Sequence, residues 1–136
     1  MKITPDGETR VAFEHWHSAG REPAPGIVIP AYVFGPFAAH REIVCLKHDG
    51  TPEYRRTGYQ ITHAPSGKRI GGALTKARAL ALAAAWSALD AAGDFAAPVP
   101  ADTARSRETA RAMLALLTDD ERFAARYALE VKDGAA

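Results

Sequence analysis

The side chains best suited to do chemistry are the basic residues in the middle of the chain. Residues 41–78 contain eight lysines and arginines and three acidic residues, a net charge of +5 within a chain of +1. Charge of this density attracts phosphate groups regardless of base sequence. Tyr54 and Tyr59 lie among the cations, and interleaved rings and cations are typical of surfaces that bind single-stranded nucleic acid. The candidate binding residues are Arg55, Arg56, Tyr59, Lys68, Arg69, Lys76 and Arg78.

Two hypotheses for function follow from this pattern. The first is a small non-enzymatic accessory protein that binds nucleic acid through a basic hairpin and a helix start. The alternative is a phage- or plasmid-encoded inhibitor or adaptor, of the anti-CRISPR or other anti-defence type, that occludes a host protein complex. For that role the expected interface aromatics are Trp16, Tyr32 and Phe37. An ordinary solvated sheet face, and a homodimer through a sheet edge or the C-terminal helices, are also open.

Catalytic and metal-binding patterns are weak. The spacing does not bring a nucleophile, a base and an orienting group together, so we expect no enzyme activity and no cofactor. His15 and His17 would share one face of a strand, as two metal ligands do, but the spacing implies no third ligand and we predict no metal. The single cysteine, Cys45, is expected to be buried in a strand.

The segment 71–79, with the sequence GGALTKARA, resembles the last strand-to-helix junction of double-stranded-RNA-binding domains. In that family a glycine-rich turn leads into a Ser/Thr-Lys-Lys helix start with an alanine face behind it. Thr75 and Lys76 match this pattern, whereas Ala77 stands where the family has its second lysine, and no N-terminal helix is predicted here. The resemblance covers only this junction, and it implies phosphate contact at the helix start.

The elements that position the basic residues are predicted to be strands first and helices second. Pro30 interrupts its strand and predicts an edge or a bulge, because proline donates no ladder hydrogen bond. Asp49-Gly50 is a hairpin signal, Gly58 indicates a bulge, and Gly67 suits the positive φ of a tight turn. Strands are predicted at residues 10–17, 27–34, 42–47, 53–62 and 68–70.

The second half of the chain is predicted to be helical. Thr75 is an N-cap for an alanine-rich helix over residues 76–92, and Gly93 is placed to end it. Two shorter helices are predicted at residues 103–117 and 119–131, the second with a Thr118–Glu121 capping box.

These elements predict an α+β protein with one core. An antiparallel meander of four to five strands is packed by the alanine-rich helix and followed by a C-terminal helical pair. We predict a sheet-and-helix domain over residues 1–93, a proline-containing linker over 94–101, and helices over 102–132 that dock on the same domain or on a partner. No apolar stretch is long enough to span a membrane, and the expected location is cytoplasmic.

Overall fold

The computed structural model describes residues 5–11, 14–17, 20–23, 26–47 and 49–121. The strands are β1 (Gly7–Val11), β2 (Glu14–His17), β3 (Gly20–Pro23), β4 (Ile27–Phe34), β5 (Phe37–Leu46), β6 (Pro52–His63) and β7 (Lys68–Leu74). The helices are α1 (Lys76–Leu89), a 3₁₀ helix (Asp94–Ala96) and α2 (Ala104–Ala115). Five strands form one antiparallel sheet in the order β1-β4-β5-β6-β7, while β2 and β3 pair separately. This confirms the predicted α+β class, with α1 packed on the sheet.

Strand β4 pairs with β1 along its first part and with β5 along its second part, and its side-chain alternation changes between the two. Residues 27–31 pair with β1, whereas residues 32–34 pair with β5. Ala31 and Tyr32 are both buried, which breaks the alternation of a flat strand. Pro30 lies in the half that has no β5 partner, so its missing N–H leaves no gap on that side. The side chain of Arg10, on β1, reaches the turn between β6 and β7, where its N–H donates to the Ser66 carbonyl at 3.3 Å.

Several strand boundaries differ from the predictions, and β7 continues to Leu74 instead of ending at residue 70. The first predicted strand is divided, since β1 ends at Val11 and β2 begins at Glu14. The third begins at Phe37 rather than at residue 42, because Gly35 adopts a φ of 57° in a two-residue turn that returns the chain directly into β5. Phe37 and Ala39 thereby enter the core.

Bulges interrupt both β6 and β7 near the middle of the sheet. Arg41 lies opposite Tyr59, but Ile43 lies opposite Tyr54, so residues 55–58 all face the single residue Glu42. Gly58 has a φ of 111°, which confirms the predicted bulge there. A second irregularity separates Tyr59 and Ile61 along β6 and leaves extra residues on β7.

Helix α1 packs across one face of the sheet, which we call the helix face. Thr75 is its N-cap as predicted, and its hydroxyl accepts the Arg78 N–H at 3.1 Å. Trp86 is fully buried against the sheet, and its indole N–H donates to the Met113 carbonyl of α2 at 3.1 Å. Met113 lies in the same core, so α2 closes the far side of α1.

Helix α1 ends at Leu89, three residues before the predicted end. The Asp90 carboxylate accepts the Phe95 N–H at 3.0 Å and so organises the next turn instead of another turn of α-helix. Gly93, predicted to terminate α1, has a φ of 78° and precedes the 3₁₀ helix. This helix buries Phe95 within the predicted linker.

The C-terminal region begins with α2, which is shorter than predicted at both ends. Thr103 and Ser106 form its capping box. Residues 119–121 are helical, and Glu121 N–H donates to the Thr118 hydroxyl at 3.2 Å. The rest of the predicted third helix lies outside the described residues. No helix in the part of the chain that the structure describes is long and apolar enough to cross a membrane.

The opposite side of the sheet, which we call the polar face, buries hydrogen-bonding side chains. His40 accepts from the Thr62 hydroxyl at 2.7 Å and donates to the Arg41 carbonyl at 2.7 Å. The Gln60 side chain donates to Thr62 at 3.2 Å and accepts the Ile43 N–H at 3.0 Å. Burial of this network lowers the pKa of His40 to about 4, so the imidazole is neutral at pH 7.

Candidate functional site

The structure divides the predicted basic surface into separate groups. Arg55 and Arg69 converge on the polar face, whereas Lys76 lies beside Tyr59 and Tyr32 at the start of α1. Lys68 is the neighbour of Arg69 on β7 and therefore belongs to the other face of the sheet. It lies opposite His63 of β6, whose ring is in the helix-face core. The hairpin therefore does not present one continuous basic face, because neighbouring residues of a strand point to opposite sides.

The group on the polar face is an arginine clamp, made of Glu42, Arg55 and Arg69. The Glu42 side chain is 1% exposed, while those of Arg55 and Arg69 are 59% and 47% exposed. Glu42 Oε1 accepts from Arg69 Nη2 and from the Ala73 N–H. Arg55 Nε lies 3.1 Å from Glu42 Oε2, an ion-pair distance without the alignment of a hydrogen bond. A buried carboxylate thus fixes two half-exposed guanidinium groups.

Two glycines beside the clamp leave room for its side chains. A Cβ at Gly72 would lie 1.9 Å from Arg69 Nη2 and 2.6 Å from Glu42 Oε1. A Cβ at Gly58 would lie 3.3 Å from Glu42 Oε2, and the φ of 111° disfavours a side chain there in any case. Ala73 has a φ of 55°, which is uncommon outside glycine, and its N–H is aimed at Glu42. The bulges in β6 and β7 make the space that the clamp occupies.

The second group lies around an open cleft of about 330 Å³ near the start of α1. We call it the tyrosine cleft. Arg41 Cζ lies 4.5 Å from the centre of the Tyr54 ring, and Lys76 Nζ lies 5.2 Å from the centre of the Tyr32 ring. A cation over an aromatic face is stabilised by the ring quadrupole. The cleft is lined by Pro5, Pro30, Tyr32, His40, Arg41, Tyr54 and Tyr59.

Tyrosine oxygens also act on the charge of Lys76. A hydrogen bond with Tyr32 raises the pKa of Lys76, and the charge interaction with Tyr59 acts in the same direction. Tyr32 is buried, while Tyr54 and Tyr59 are partly exposed at the cleft wall. Arg41 and Lys76 are therefore both held beside tyrosine rings, and Tyr54 and Tyr59 present exposed surface at the cleft.

Arg78, which was predicted to bind a ligand, makes hydrogen bonds within the fold. Its guanidinium donates twice to Glu121, at 2.8 and 3.1 Å, and once to the Leu116 carbonyl at 2.6 Å. The pair with Glu121 raises the pKa of Arg78 and lowers that of Glu121. Arg78 joins the start of α1 to the segment after α2.

The remaining predicted cations are Arg56 and Lys68. Arg56 lies in the β6 bulge, exposed, and makes no ion pair with the described part of the chain. Lys68 is exposed at the start of β7, where its charge contributes to lowering the pKa of His63, after the larger effect of burial. Neither residue shares a contact with the tyrosine cleft.

Three further predictions concern individual side chains. Cys45 was predicted to be buried, and it is exposed on β5, where its thiol donates to Glu53 at 3.1 Å and has a raised pKa. Within residues 5–11, 26–47 and 49–121 no cluster of His, Cys, Asp and Glu is arranged to hold a metal. His15 and His17 lie on β2, and their side chains are outside the described residues.

Two of the three aromatics predicted for a protein interface, Phe37 and Tyr32, are buried. Phe37 is fully buried in the core and Tyr32 is 5% exposed, because the Gly35 turn and the bend of β4 direct both toward α1. The Trp16 side chain lies outside the described residues. The inhibitor and homodimer hypotheses stay predictions, without these residues as their support.

Sequence reasoning missed Arg41, Tyr32 and Glu42 as members of these two groups. One signal was present: Glu42 is an acidic residue at the start of an apolar run, and a buried carboxylate requires cations nearby. No local signal identified Arg41 and Tyr32, since strand pairing brings them together.

Comparison with protein-family models, with curated proteins and with solved structures finds no match for this chain. The resemblance to double-stranded-RNA-binding domains therefore has no support beyond the junction at residues 71–79. The fold also differs at its beginning, where the chain enters the sheet as β1. What the protein binds has to be argued from its own geometry.

Proposed function

We propose that this protein binds single-stranded nucleic acid through the tyrosine cleft. The observation that carries the proposal is that Arg41 lies over the Tyr54 ring in an open cleft that Tyr32 and Tyr59 also line, while Lys76 lies over the Tyr32 ring. Exposed aromatic and guanidinium planes stack with unpaired bases, and the cations beside them attract phosphates.

Size and charge both support this ligand class. A cleft of about 330 Å³ is at the lower end of the volume range for small-ligand sites. It has the size for a single nucleotide and is too small for the surface of a folded protein. Stacking of one base on an aromatic side chain contributes roughly 1–3 kcal/mol whatever the base is. The +5 charge of residues 41–78 favours approach of a polyanion from solution.

The test measures binding of a fluorescein-labelled oligothymidylate by anisotropy at low and moderate salt. We expect affinity to fall steeply with salt, and Tyr54→Leu to weaken binding at least fivefold by removing the stacking plane while keeping apolar packing. Arg41→Gln should weaken binding and lower the salt slope by about one.

The matched control is Arg111→Gln, which removes an exposed cation from α2, away from the cleft. It should leave the affinity within twofold of the wild type. Absence of binding at low salt, binding insensitive to salt, or equal effects of Arg41→Gln and Arg111→Gln would overturn the proposal. A preference for duplex over single strands would also overturn it, because paired bases cannot enter the cleft.

A further inference from the structure

The arginine clamp has donors that the fold does not use. Arg55 Nε lies at ion-pair distance from Glu42 Oε2, and Arg69 Nη2 donates one hydrogen bond to Glu42 Oε1. Each guanidinium carries five N–H donors, and the remaining ones have no partner among the described residues. About half of each side chain is exposed, so these donors face solvent beside each other on the polar face.

The charge at the clamp exceeds what Glu42 requires. One carboxylate faces two guanidinium groups, which leaves one positive charge, and Arg56 stands next to Arg55 in the bulge with no ion pair in the described chain. Arg69 and the Ala73 N–H already supply two aligned hydrogen bonds to Glu42. Arg55 adds an ion pair without a hydrogen bond, so its contribution to neutralising Glu42 is the smaller one.

The clamp is also organised before any ligand arrives. A free arginine loses up to roughly 2 kcal/mol of rotamer entropy when it is immobilised, and here part of that loss has occurred on folding. The Ala73 φ of 55° and the absence of a Cβ at Gly72 both serve the position of the Glu42 and Arg69 groups. Backbone strain of this kind persists where the surrounding structure requires it, and it concentrates at binding sites.

We infer that the arginine clamp is a binding site for one phosphate group, held between the outward donors of Arg55 and Arg69. A tetrahedral oxyanion offers oxygens to two guanidinium forks at once, and its charge of one to two matches the excess at the site. The phosphate can come from a nucleic-acid backbone or from a free phosphate monoester. The site shares no residue with the lining of the tyrosine cleft and does not depend on base stacking there.

The experiment follows the arginine Nε–Hε signals of the full chain by NMR during titration with two probes. Dimethyl phosphate represents the backbone diester, and phenyl phosphate represents the monoester. We expect saturable shifts confined to Arg55 and Arg69. Tighter binding of dimethyl phosphate than of phenyl phosphate assigns the site to a nucleic-acid backbone, and the reverse order assigns it to a free monoester.

Three variants separate a built site from simple positive charge. Gly72→Ala keeps every charge but places a Cβ where the Arg69 guanidinium lies, so affinity should fall at least fivefold. Arg55→Lys keeps the charge and removes the fork, with an expected loss of threefold or more. Lys68→Gln is the matched control, since it removes a charge from the same hairpin without touching the clamp, and it should leave affinity unchanged.

Each outcome decides the inference. Shifts spread over all arginines, a Lys68→Gln loss as large as that of Arg55→Lys, or an unchanged affinity in folded Gly72→Ala would overturn it. Chemical denaturation of Gly72→Ala shows whether the variant is folded; if it is not, Arg55→Lys alone provides the test. Phosphate binding at the clamp without oligonucleotide binding at the cleft would contradict the proposed function and still support the phosphate site.

Discussion

The two cation groups of this protein are held in place by different means. In the arginine clamp a buried carboxylate fixes Arg55 and Arg69, whereas in the tyrosine cleft Arg41 and Lys76 rest on aromatic rings. Removing water from a charge is costly, so a cation on a buried carboxylate becomes part of the fold. A cation that rests on an aromatic ring beside an open cleft contributes less to folding. Substitutions in the two groups should therefore affect different measurements.

The largest expected effect is that of Arg69→Met in the clamp. It leaves the buried Glu42 with Arg55 as its nearest cation, and should lower the free energy of unfolding by about 3 kcal/mol, the low end for a broken buried pair because half of Arg69 is in water. Arg41→Met in the cleft should cost under about 1 kcal/mol. Urea denaturation measures both, with Lys68→Met as a neutral control. Equal losses in the two groups would remove the distinction between them.

Acid should destabilise the polar face next most strongly. The pKa of His40 is about 4 in the folded chain and near 6.5 when unfolded, so the unfolded state binds the proton first as pH falls. Stability from this group is complete above pH 6.5 and should decrease by about 2 kcal/mol between pH 7 and 5.

Urea denaturation at pH 7 and 5 checks this, with His40→Gln as the non-titrating variant. His40→Gln should lose less stability than the wild type over this interval. The loss that remains comes from groups such as His63, whose pKa burial also lowers. Identical losses in wild type and variant would show that protonation of His40 does not cause the loss of stability in acid.

A smaller effect is expected at Arg78, which belongs to neither group. Arg78→Gln removes a partly exposed link to Glu121 and Leu116, and should lower stability by about 1 kcal/mol. Oligonucleotide affinity should change less than twofold, unlike that of Arg41→Gln. An affinity loss matching that of Arg41→Gln would extend the ligand surface along the helix start.

The smallest effect is a change of pKa within the cleft. Tyr32→Phe removes the hydroxyl that bonds Lys76, and the pKa of Lys76 should fall toward its ordinary value. NMR titration of the lysine Cε signal measures it. Tyr54→Phe is the control and should leave that pKa unchanged, because Tyr54 partners Arg41 instead. An unchanged pKa in Tyr32→Phe would mean that the ring alone holds Lys76.

Much of the fold follows from local sequence. The Thr75 cap, the alanine-rich helix, the Gly58 bulge and the Gly67 turn all have strong local signals, and the structure confirms each of them. The predicted end of α1 was wrong because the Asp90 carboxylate accepts the Phe95 N–H of the next turn. The predicted start of β5 was wrong because Gly35 and Pro36 alone form the turn, so the next strand begins directly at Phe37.

The candidate sites followed less well from the sequence. The excess of charge and the nearby tyrosines are visible in residues 41–78, but their division into two groups is not. A register shift of β6 against β5 decides that Arg55 meets Glu42 while Tyr54 meets Arg41. Such a shift depends on pairing between distant segments, and no single strand encodes it.

The sequence by itself determined the class of fold, the capped helix and the basic segment, because propensity, turn chemistry and charge are properties of neighbouring residues. Only the tertiary structure decided which cations pair with a buried carboxylate and which rest on tyrosine rings. That choice depends on the burial of Glu42, which arises when bulges in two strands close around one carboxylate. The cost of an unpaired buried charge then draws Arg55 and Arg69 to it and leaves Arg41 and Lys76 at the tyrosine cleft.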